Sequence, residues 1–311
     1  MTSSTSKARG RRTPPPELVE YFETHRTPGG VAWDELLARH IKYMNDADLP
    51  EPDVREITVR RTDAWDLRIA VWRRDPGARR LPVVFHVHGG AWSAGNHLSF
   101  PGVAAVLADA GYLVVSVDYR RAPRHTFPAA YDDCVFVLKW CGENISAYGG
   151  DPNRLALLGD SAGANLAAAA MITVKKPRVK CAVLLYGLFE FSSSAPVMNG
   201  LGLPTEYVPT HEIEGLRDDP RLNPIVSPAD LQPSLVLTGD RDWAVDQSRL
   251  LKAAMEVRGA RHEYAELEAT PHGFLLLPGH PGYVAGWKVI LRYLKEHLEA
   301  DADSAAGDRA V

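Results

Sequence analysis

The chain has 311 residues, of which 45% are hydrophobic and 24% charged, a composition typical of a globular protein with one large α/β domain or two smaller ones. Its formal net charge of -4 provides no basic field that would attract nucleic acid or anionic lipid, so neither a nucleic-acid nor a membrane partner is expected. No stretch approaches the roughly 18 apolar residues of a membrane span, and the polar start MTSSTSKARGRR is not followed by the apolar core of a signal peptide. We therefore expect a cytoplasmic protein.

The ends of the chain differ in composition from the rest. Residues 1–14 and 299–311 are polar, charged or small, and are predicted to be tails. Residues 15–50 carry a helical pattern, seen in PELVEYFETHR and AWDELLARHIKYMND. We expect these helices to form a cap over the edge of the sheet that follows.

Residues 51–298 alternate short β-branched runs with longer helical patterns, which predicts a mostly parallel sheet flanked by helices. VREITVRR and WDLRIAVWRR predict an opening hairpin, and RHEYAELE predicts a last strand. Between them, five near-continuous hydrophobic runs suit strands that are buried on both faces: LPVVFHVH, YLVVSVDY, NRLALLGD, KCAVLLYG and PSLVLTGD. The sequence thus predicts eight strands.

Two segments complete this organisation. Residues 188–231, rich in Pro, Gly and Ser, form a connection long enough to indicate a functional insertion, and we predict that it belongs to the same cap as residues 15–50. The segment GYVAGWKVILRYLKEHLEA predicts a terminal helix whose inward side carries Val284, Trp287, Leu291 and Leu294.

The cysteines point to buried thiols. Cys134, Cys141 and Cys181 are odd in number, lie in apolar or helical contexts and show no C-x-x-C spacing. We expect free thiols in the core rather than a disulfide framework or a zinc site.

A serine in LALLGDSAGANLAAAA lies between a predicted strand and a predicted helix. Gly159 and Gly163 flank Ser161 at two residues on either side, and small neighbours let the chain turn sharply enough to lift the hydroxyl clear of the sheet. The N-terminus of the following helix directs its positive dipole end toward the same place. This setting favours a nucleophile over an ordinary capping serine.

A serine hydroxyl needs a base and an orienting acid, which on folds with this turn follow in the order serine, acid, histidine. VLTGDRDWAVDQ offers Asp240, Asp242 and Asp246 after the seventh strand; Asp242 is the candidate, because Asp246 suits a helix start. His272 lies in the tight loop of ATPHGFLL after the last strand. The predicted catalytic set is therefore Ser161, Asp242 and His272.

Backbone donors for an oxyanion are predicted where LPVVFHVH runs into two glycines. The candidate N–H groups belong to Gly89, Gly90, Ala91 and Ala162. His86 and His88 share one side of the strand and could suggest a metal pair, but no third ligand is clustered with them, so we predict no metal. We expect His88 to hold its loop by a hydrogen bond.

Bulky side chains near these positions are expected to line a substrate pocket for short to medium acyl groups. The predicted pocket residues are Trp92, Tyr119, Phe189, Trp243 and Phe274.

Several motifs in one order resemble the hormone-sensitive lipase-like branch of the α/β-hydrolases, also called bacterial family IV esterases, over roughly residues 80–298. These motifs are HVHGGAW, VDYRRAPRHTFPAAYDDC, YGGDPNRLALLGDSAGANLAA, LTGDRDWAVD and PHGF. The resemblance implies an α/β-hydrolase fold and a serine carboxylesterase that acts on small-molecule esters without a cofactor, with Ser161 as nucleophile, Asp242 as orienting acid and His272 as base. A homodimer through the last strand and helix is possible.

The chain departs from the family pattern at three positions. Ala91 replaces the usual third glycine of the oxyanion loop, Arg124 stands where an acidic residue is common, and Trp243 stands where a proline usually follows the acid. HGGAW also fits kynurenine formamidases, which cleave an aryl formamide with the same triad. A non-hydrolytic tailoring or binding protein on the same fold is a third alternative.

Overall fold

The structure is a computed structural model that describes residues 52–62, 65–231 and 233–298. The predicted tails, residues 1–14 and 299–311, and the predicted N-terminal cap helices, residues 15–50, lie outside the described residues.

The described strands form one eight-stranded sheet in the order β1-β2-β4-β3-β5-β6-β7-β8. β1 pairs antiparallel with β2, β2 pairs antiparallel with β4, and the remaining pairs are parallel. The predicted mostly parallel sheet is confirmed. The strands are β1 Asp53–Arg61, β2 Asp66–Arg73, β3 Leu81–Val87, β4 Leu113–Val117, β5 Gly150–Asp160, β6 Val179–Leu185, β7 Ser234–Gly239 and β8 His262–Leu267.

Helices cover both faces of this sheet. They are α1 Pro101–Asp109, α2 Ala129–Asn144, α3 Ala162–Thr173, α4 Phe191–Gly200, α5 Val245–Val257 and α6 Pro281–Leu298. Successive side chains of a strand point to opposite faces, and in β3 Val83 and Phe85 join the core under α2, α3 and α5, whereas Val84 joins the core under α1 and α6. Burial on both faces explains the unbroken hydrophobic runs of the central strands.

The inward side of α6 differs from the prediction at one residue. Trp287 and Leu294 are buried as expected, but Val284 is 51% exposed and Leu291 is half-buried. The buried stripe runs through Tyr283, Trp287, Ile290 and Leu294 at spacings of three and four. Val284 follows the first member of this stripe by one residue, or about 100° around the helix, and so faces solvent.

The segment 188–231 contains α4 followed by four short 3₁₀ helices and is tied to the sheet domain by buried amides. Asn165 in α3 donates to the carbonyl oxygens of Leu188 and Leu222, both at 2.8 Å. Gln247 in α5 accepts hydrogen bonds from two backbone N–H groups just before α4. Because these amides lie in the helices that follow β5 and β7, the start of α4 is held close to those strand ends.

Cys134, Cys141 and Cys181 are buried free thiols, as predicted, and burial raises the pKa of Cys181 to about 12. Across the described residues, no helix combines the length and the apolar character that crossing a membrane requires.

Candidate active site

Ser161 occupies a sharp turn between β5 and α3. Its backbone has φ 53° and ψ −120°, in the left-handed half of the map where non-glycine residues are strained. A Cβ on Gly163 would lie 1.9 Å from the carbonyl oxygen of Val87, and a Cβ on Gly159 would lie 2.4 Å from that of Gly163. The turn can therefore form only if both flanking residues lack a side chain.

The three predicted catalytic side chains form one hydrogen-bonded chain. His272 Nε2 lies 3.0 Å from Ser161 Oγ, and His272 Nδ1 lies 2.8 Å from Asp242 Oδ1. A carboxylate only accepts, so Nδ1 carries the proton and Nε2 is left to accept the serine O–H. In this tautomer the imidazole can act as a base toward the serine.

Asp242 is held in a buried position at the end of β7. It is 4% exposed; its Oδ1 also accepts the N–H of Ala244 at 2.7 Å, and its Oδ2 accepts the hydroxyl of Thr238 at 3.2 Å. Of the other two candidate acids, Asp246 is exposed in the first turn of α5 and Asp240 accepts a backbone N–H away from the imidazole. The structure thus brings only Asp242 of the three to His272.

The proposed oxyanion loop has an unusual backbone. Gly90, Ala91 and Trp92 have φ values of 118°, 50° and 57° in succession. In the described part of the chain, the N–H groups of Gly90, Ala91 and Ala162 donate to no backbone carbonyl. Gly90 and Ala91 line the cleft beside Ser161, whereas Gly89 packs behind it against Asp160.

Histidines behind this loop stabilise its conformation. His88 Nδ1 lies 2.7 Å from the carbonyl oxygen of Gly89, as the sequence predicted, and its ring stacks on Tyr119 with centroids 4.3 Å apart. Burial lowers the pKa of His88 well below its usual value, so this imidazole is neutral. His86 Nε2 lies 3.1 Å from a carboxylate oxygen of Asp160. The described residues contain no group of three or more His, Cys, Asp and Glu side chains arranged to hold a metal.

The cleft that opens at Ser161 has mainly apolar walls. Besides the residues already named, its lining comprises Phe100, Tyr186, Leu188, Met198, Leu203, Gly273 and Leu276, together with Trp243 and Asp160. The rings of Tyr186 and Trp243 each have their centroid 4.9 Å from that of His272. The segment 188–231 contributes three of the aliphatic side chains.

Of the five residues predicted to line the pocket, only Trp243 does so, and the prediction is wrong for the other four. Trp92, at a positive φ of 57°, is fully buried in a stack against Tyr207, with centroids 4.9 Å apart. Tyr119 lies behind His88 and donates its hydroxyl hydrogen bond to the carbonyl of that residue. Phe189 is fully buried, and Phe274 packs between Tyr186 and α6.

Some of the missed lining residues had a sequence signal. Tyr186 and Leu188 directly follow β6, at the same edge as Ser161, and Asp160 lies inside GDSAG. Met198 lies on the buried face of α4, with Phe191 and Ala195 at helical spacing, but this pattern indicates burial and does not distinguish a cleft residue from a core residue. Nothing local marks Leu203 as a cleft residue.

Comparisons with known proteins identify the family of the chain. A family model described as an α/β hydrolase fold matches residues 84–276. Carboxylesterase NlhH of Mycobacterium tuberculosis is 45% identical over 121 residues, which are 39% of this chain and only 38% of NlhH. Carboxylic ester hydrolase LipN of the same organism is 30% identical over 91% of this chain and 83% of its own length. A hyperthermophilic esterase from the archaeon Pyrobaculum calidifontis superposes with a TM-score of 0.73, at 28% identity, covering 85% of this chain and 89% of that one. With a family match over more than half of its length and the serine turn at the end of β5, the chain belongs to the α/β-hydrolase fold family, in the hormone-sensitive lipase-like branch that its motifs predicted.

Proposed function

We propose that this protein is a serine carboxylesterase that hydrolyses small-molecule esters with short to medium acyl groups through an acyl-enzyme intermediate. The observation that carries the proposal is the hydrogen-bonded chain from Ser161 through His272 to Asp242, with separations of 3.0 and 2.8 Å. The names of its relatives, carboxylesterase and carboxylic ester hydrolase, support an ester as substrate.

The first half of the reaction follows from the tautomer of His272. Ser161 Oγ attacks the ester carbonyl carbon while His272 Nε2 takes the hydroxyl proton. The carbonyl oxygen becomes an oxyanion, which the N–H groups of Gly90, Ala91 and Ala162 are free to bind. Collapse of the tetrahedral intermediate breaks the bond to the alcohol oxygen, which receives the proton from His272.

The second half repeats these steps with water. His272 Nε2 takes a proton from a water molecule that attacks the acyl carbon, and returns it to Ser161 Oγ as the carboxylic acid departs. In both halves Asp242 keeps the proton of Nδ1 in place and stabilises the imidazolium that forms. These steps need no cofactor.

The cleft favours an uncharged ester. Its described lining includes one carboxylate, Asp160, besides the imidazole of His272, and no lysine or arginine. An anionic substrate would meet a like charge beside Ser161, with no cation to balance it. The remaining walls are apolar and suit an acyl chain.

The test is hydrolysis of p-nitrophenyl acetate and butyrate by the wild type and by Ser161→Ala. We expect the substitution to lower kcat by at least about 10⁴-fold, because no other group can form the acyl-enzyme. Ser146→Ala is the matched control, since Ser146 is exposed and distant in sequence from the turn. Equal rates of hydrolysis by the wild type and by Ser161→Ala would refute the proposal.

Two further measurements separate the alternatives. The esters are compared with N-formylkynurenine, and rapid formate release with little ester turnover would favour the formamidase instead. Failure of a fluorophosphonate probe to label Ser161 would favour a binding protein. A cytoplasmic location and a homodimer remain predictions.

A further inference from the structure

We propose that Trp243 forms the wall against which the leaving alcohol lies, and that the protein prefers esters of aromatic alcohols with aliphatic acyl groups. This inference rests on the proposed esterase function and specifies its substrate class.

The chemistry decides which part of the ester lies beside His272. The leaving oxygen receives its proton from His272 Nε2, so it must come within about 2.6–3.2 Å of that atom. The first carbon atoms of the alcohol are bonded to this oxygen. They therefore lie against the groups that flank the imidazole in the cleft.

Two aromatic rings flank that imidazole, and one of them is available to a ligand. The centroids of Tyr186 and Trp243 both lie 4.9 Å from that of His272, at interplanar angles of 61° and 36°. Both rings line the cleft, but Tyr186 is 1% exposed, whereas Trp243 is only partly buried and so offers the larger aromatic surface. An alcohol group beside His272 therefore meets mainly the indole of Trp243.

The backbone next to His272 is open. Gly273 lines the cleft, and a Cβ built on it would meet, apart from its chain neighbours, a methyl carbon of Leu276 at 3.9 Å. No side chain at position 273 therefore limits access to the imidazole from the cleft.

The turn that carries Trp243 is supported before a substrate binds. The N–H of Ala244 donates to Asp242 Oδ1 at 2.7 Å, and the same oxygen lies 2.8 Å from His272 Nδ1. The indole itself is partly buried and packs against the core of the sheet domain. Such support reduces the conformational entropy that is lost when a ring stacks on the indole.

Another part of the lining has a different chemistry. Leu188, Met198 and Leu203 come from the segment 188–231 and are aliphatic. An acyl chain bonded to the carbonyl carbon extends away from the leaving oxygen, and we assign it to these side chains. On this assignment the cleft pairs an aromatic surface for the alcohol with an aliphatic surface for the acyl chain.

The experiment compares benzyl acetate with cyclohexylmethyl acetate, which have similar size and similar leaving-group basicity but differ in the π system. Aromatic contacts predict a ratio of kcat/KM of about 2- to 10-fold in favour of benzyl acetate. Trp243→Leu should bring this ratio close to one, and Trp243→Phe should keep part of it. The ratio is measured on one enzyme sample, so partial unfolding of a variant does not change it.

A second ester pair and a second tryptophan provide the controls. Methyl phenylacetate and methyl cyclohexylacetate carry the same rings on the acyl side, and their ratio should not respond to Trp243→Leu. Trp140→Leu removes an indole in α2, away from the cleft lining, and should leave both ratios as in the wild type.

The outcomes distinguish this inference from the proposed esterase function on which it rests. A wild-type ratio near one, an unchanged ratio in Trp243→Leu, or a response in the acyl pair instead of the alcohol pair would overturn the aromatic alcohol site and leave an esterase. If the wild type hydrolyses none of these esters and no p-nitrophenyl ester, the proposed function itself fails.

Discussion

Replacement of Asp242 by asparagine tests the proposed catalytic chain most directly, because it removes a charge and keeps the shape of the side chain. The carboxylate is 4% exposed and hydrogen-bonded to His272 Nδ1 at 2.8 Å. When His272 takes the proton of Ser161, a positive charge forms about 4 Å from the negative one. At an effective dielectric constant of about 20, this attraction amounts to about 4 kcal/mol. Its loss corresponds to about a 10³-fold decrease in kcat.

The hydrogen bonds of Asp242 set an upper value for the decrease in kcat of the same variant. If the asparagine oxygen replaces Oδ1, it still accepts from His272 and Ala244, while the amide N–H₂ faces the hydroxyl of Thr238, which can rotate to accept. Only the charge is then lost. If the amide is flipped, its N–H₂ faces His272 Nδ1, the wrong tautomer is favoured, and the decrease approaches about 10⁴-fold. KM should change little, because Asp242 does not line the cleft.

The assay is release of p-nitrophenolate from p-nitrophenyl butyrate over a range of substrate concentrations, so that kcat and KM are obtained separately. Asp246→Asn is the matched control: its side chain is 82% exposed and pairs only with Arg249, four residues from the buried acid. It should stay within about twofold of the wild type, as surface ion pairs contribute little. A kcat for Asp242→Asn within about tenfold of the wild type, with the protein folded, would refute the assignment of the acid.

Three further substitutions test the packing around the site. Gly163→Ala should lower the free energy of unfolding by about 3 kcal/mol or more in urea titrations, because the new Cβ would lie 1.9 Å from a carbonyl oxygen of β3. Gly215→Ala is the control and should change this free energy little, since a Cβ there would have no atom within 4 Å. The Glu190 side chain caps the N-terminus of α4. Burial raises the pKa of this carboxyl, but hydrogen bonds from Ser193 and Ser192 outweigh burial, so the pKa is lowered overall. Glu190→Gln should therefore lower the free energy of unfolding by about 0.5–1 kcal/mol near neutral pH, and this difference should vanish as the pH falls through the lowered pKa. His86→Phe should cost about 2 kcal/mol in thermal unfolding, because it leaves the Asp160 carboxylate buried without its imidazole, and Asp160→Asn added to it should recover part of that loss.

The sheet was predictable because burial on both faces leaves a simple mark on the sequence. A strand between two helical layers is buried on both faces and so carries mostly apolar residues without alternation, as in LPVVFHV and LVVSV. A strand with one exposed face would alternate apolar and polar residues instead. The serine turn was predictable for a related reason, since its backbone geometry excludes side chains at Gly159 and Gly163. Both features were predictable because each is determined by the burial or the backbone conformation of residues that are close together in the sequence.

The wall of the cleft could not be read in the same way. Whether an aromatic residue after a strand faces the cleft depends on backbone angles and on distant partners: Trp92 turns toward Tyr207, which is more than 100 positions later in the chain. Met198 lies on a helix whose start is held by Asn165 and Gln247, which belong to two other helices. Helical periodicity indicates that Met198 is buried, but which neighbour it meets depends on these contacts between remote segments.

The order of the parallel strands explains why the site residues meet although they are far apart in sequence. β3, β5, β6, β7 and β8 are neighbours in that order, and parallel strands end at the same edge of a sheet. The chain leaves this edge through the loop of Gly90, the turn of Ser161, the position of Tyr186, the turn of Asp242 and the loop of His272. Each of these loops carries a residue of the candidate site, and the regular spacing of strands, about 4.8 Å, places adjacent loops within reach of one another. Trp243 follows the candidate acid in the loop before α5 and contacts His272, whereas Ser161 and the proposed oxyanion loop belong to strands on the other side of β6. A Trp243 variant is therefore expected to change the overall rate through His272 as well as the alcohol preference. For this reason the ratio of kcat/KM for two esters, rather than the rate with either one, reports the role of the indole.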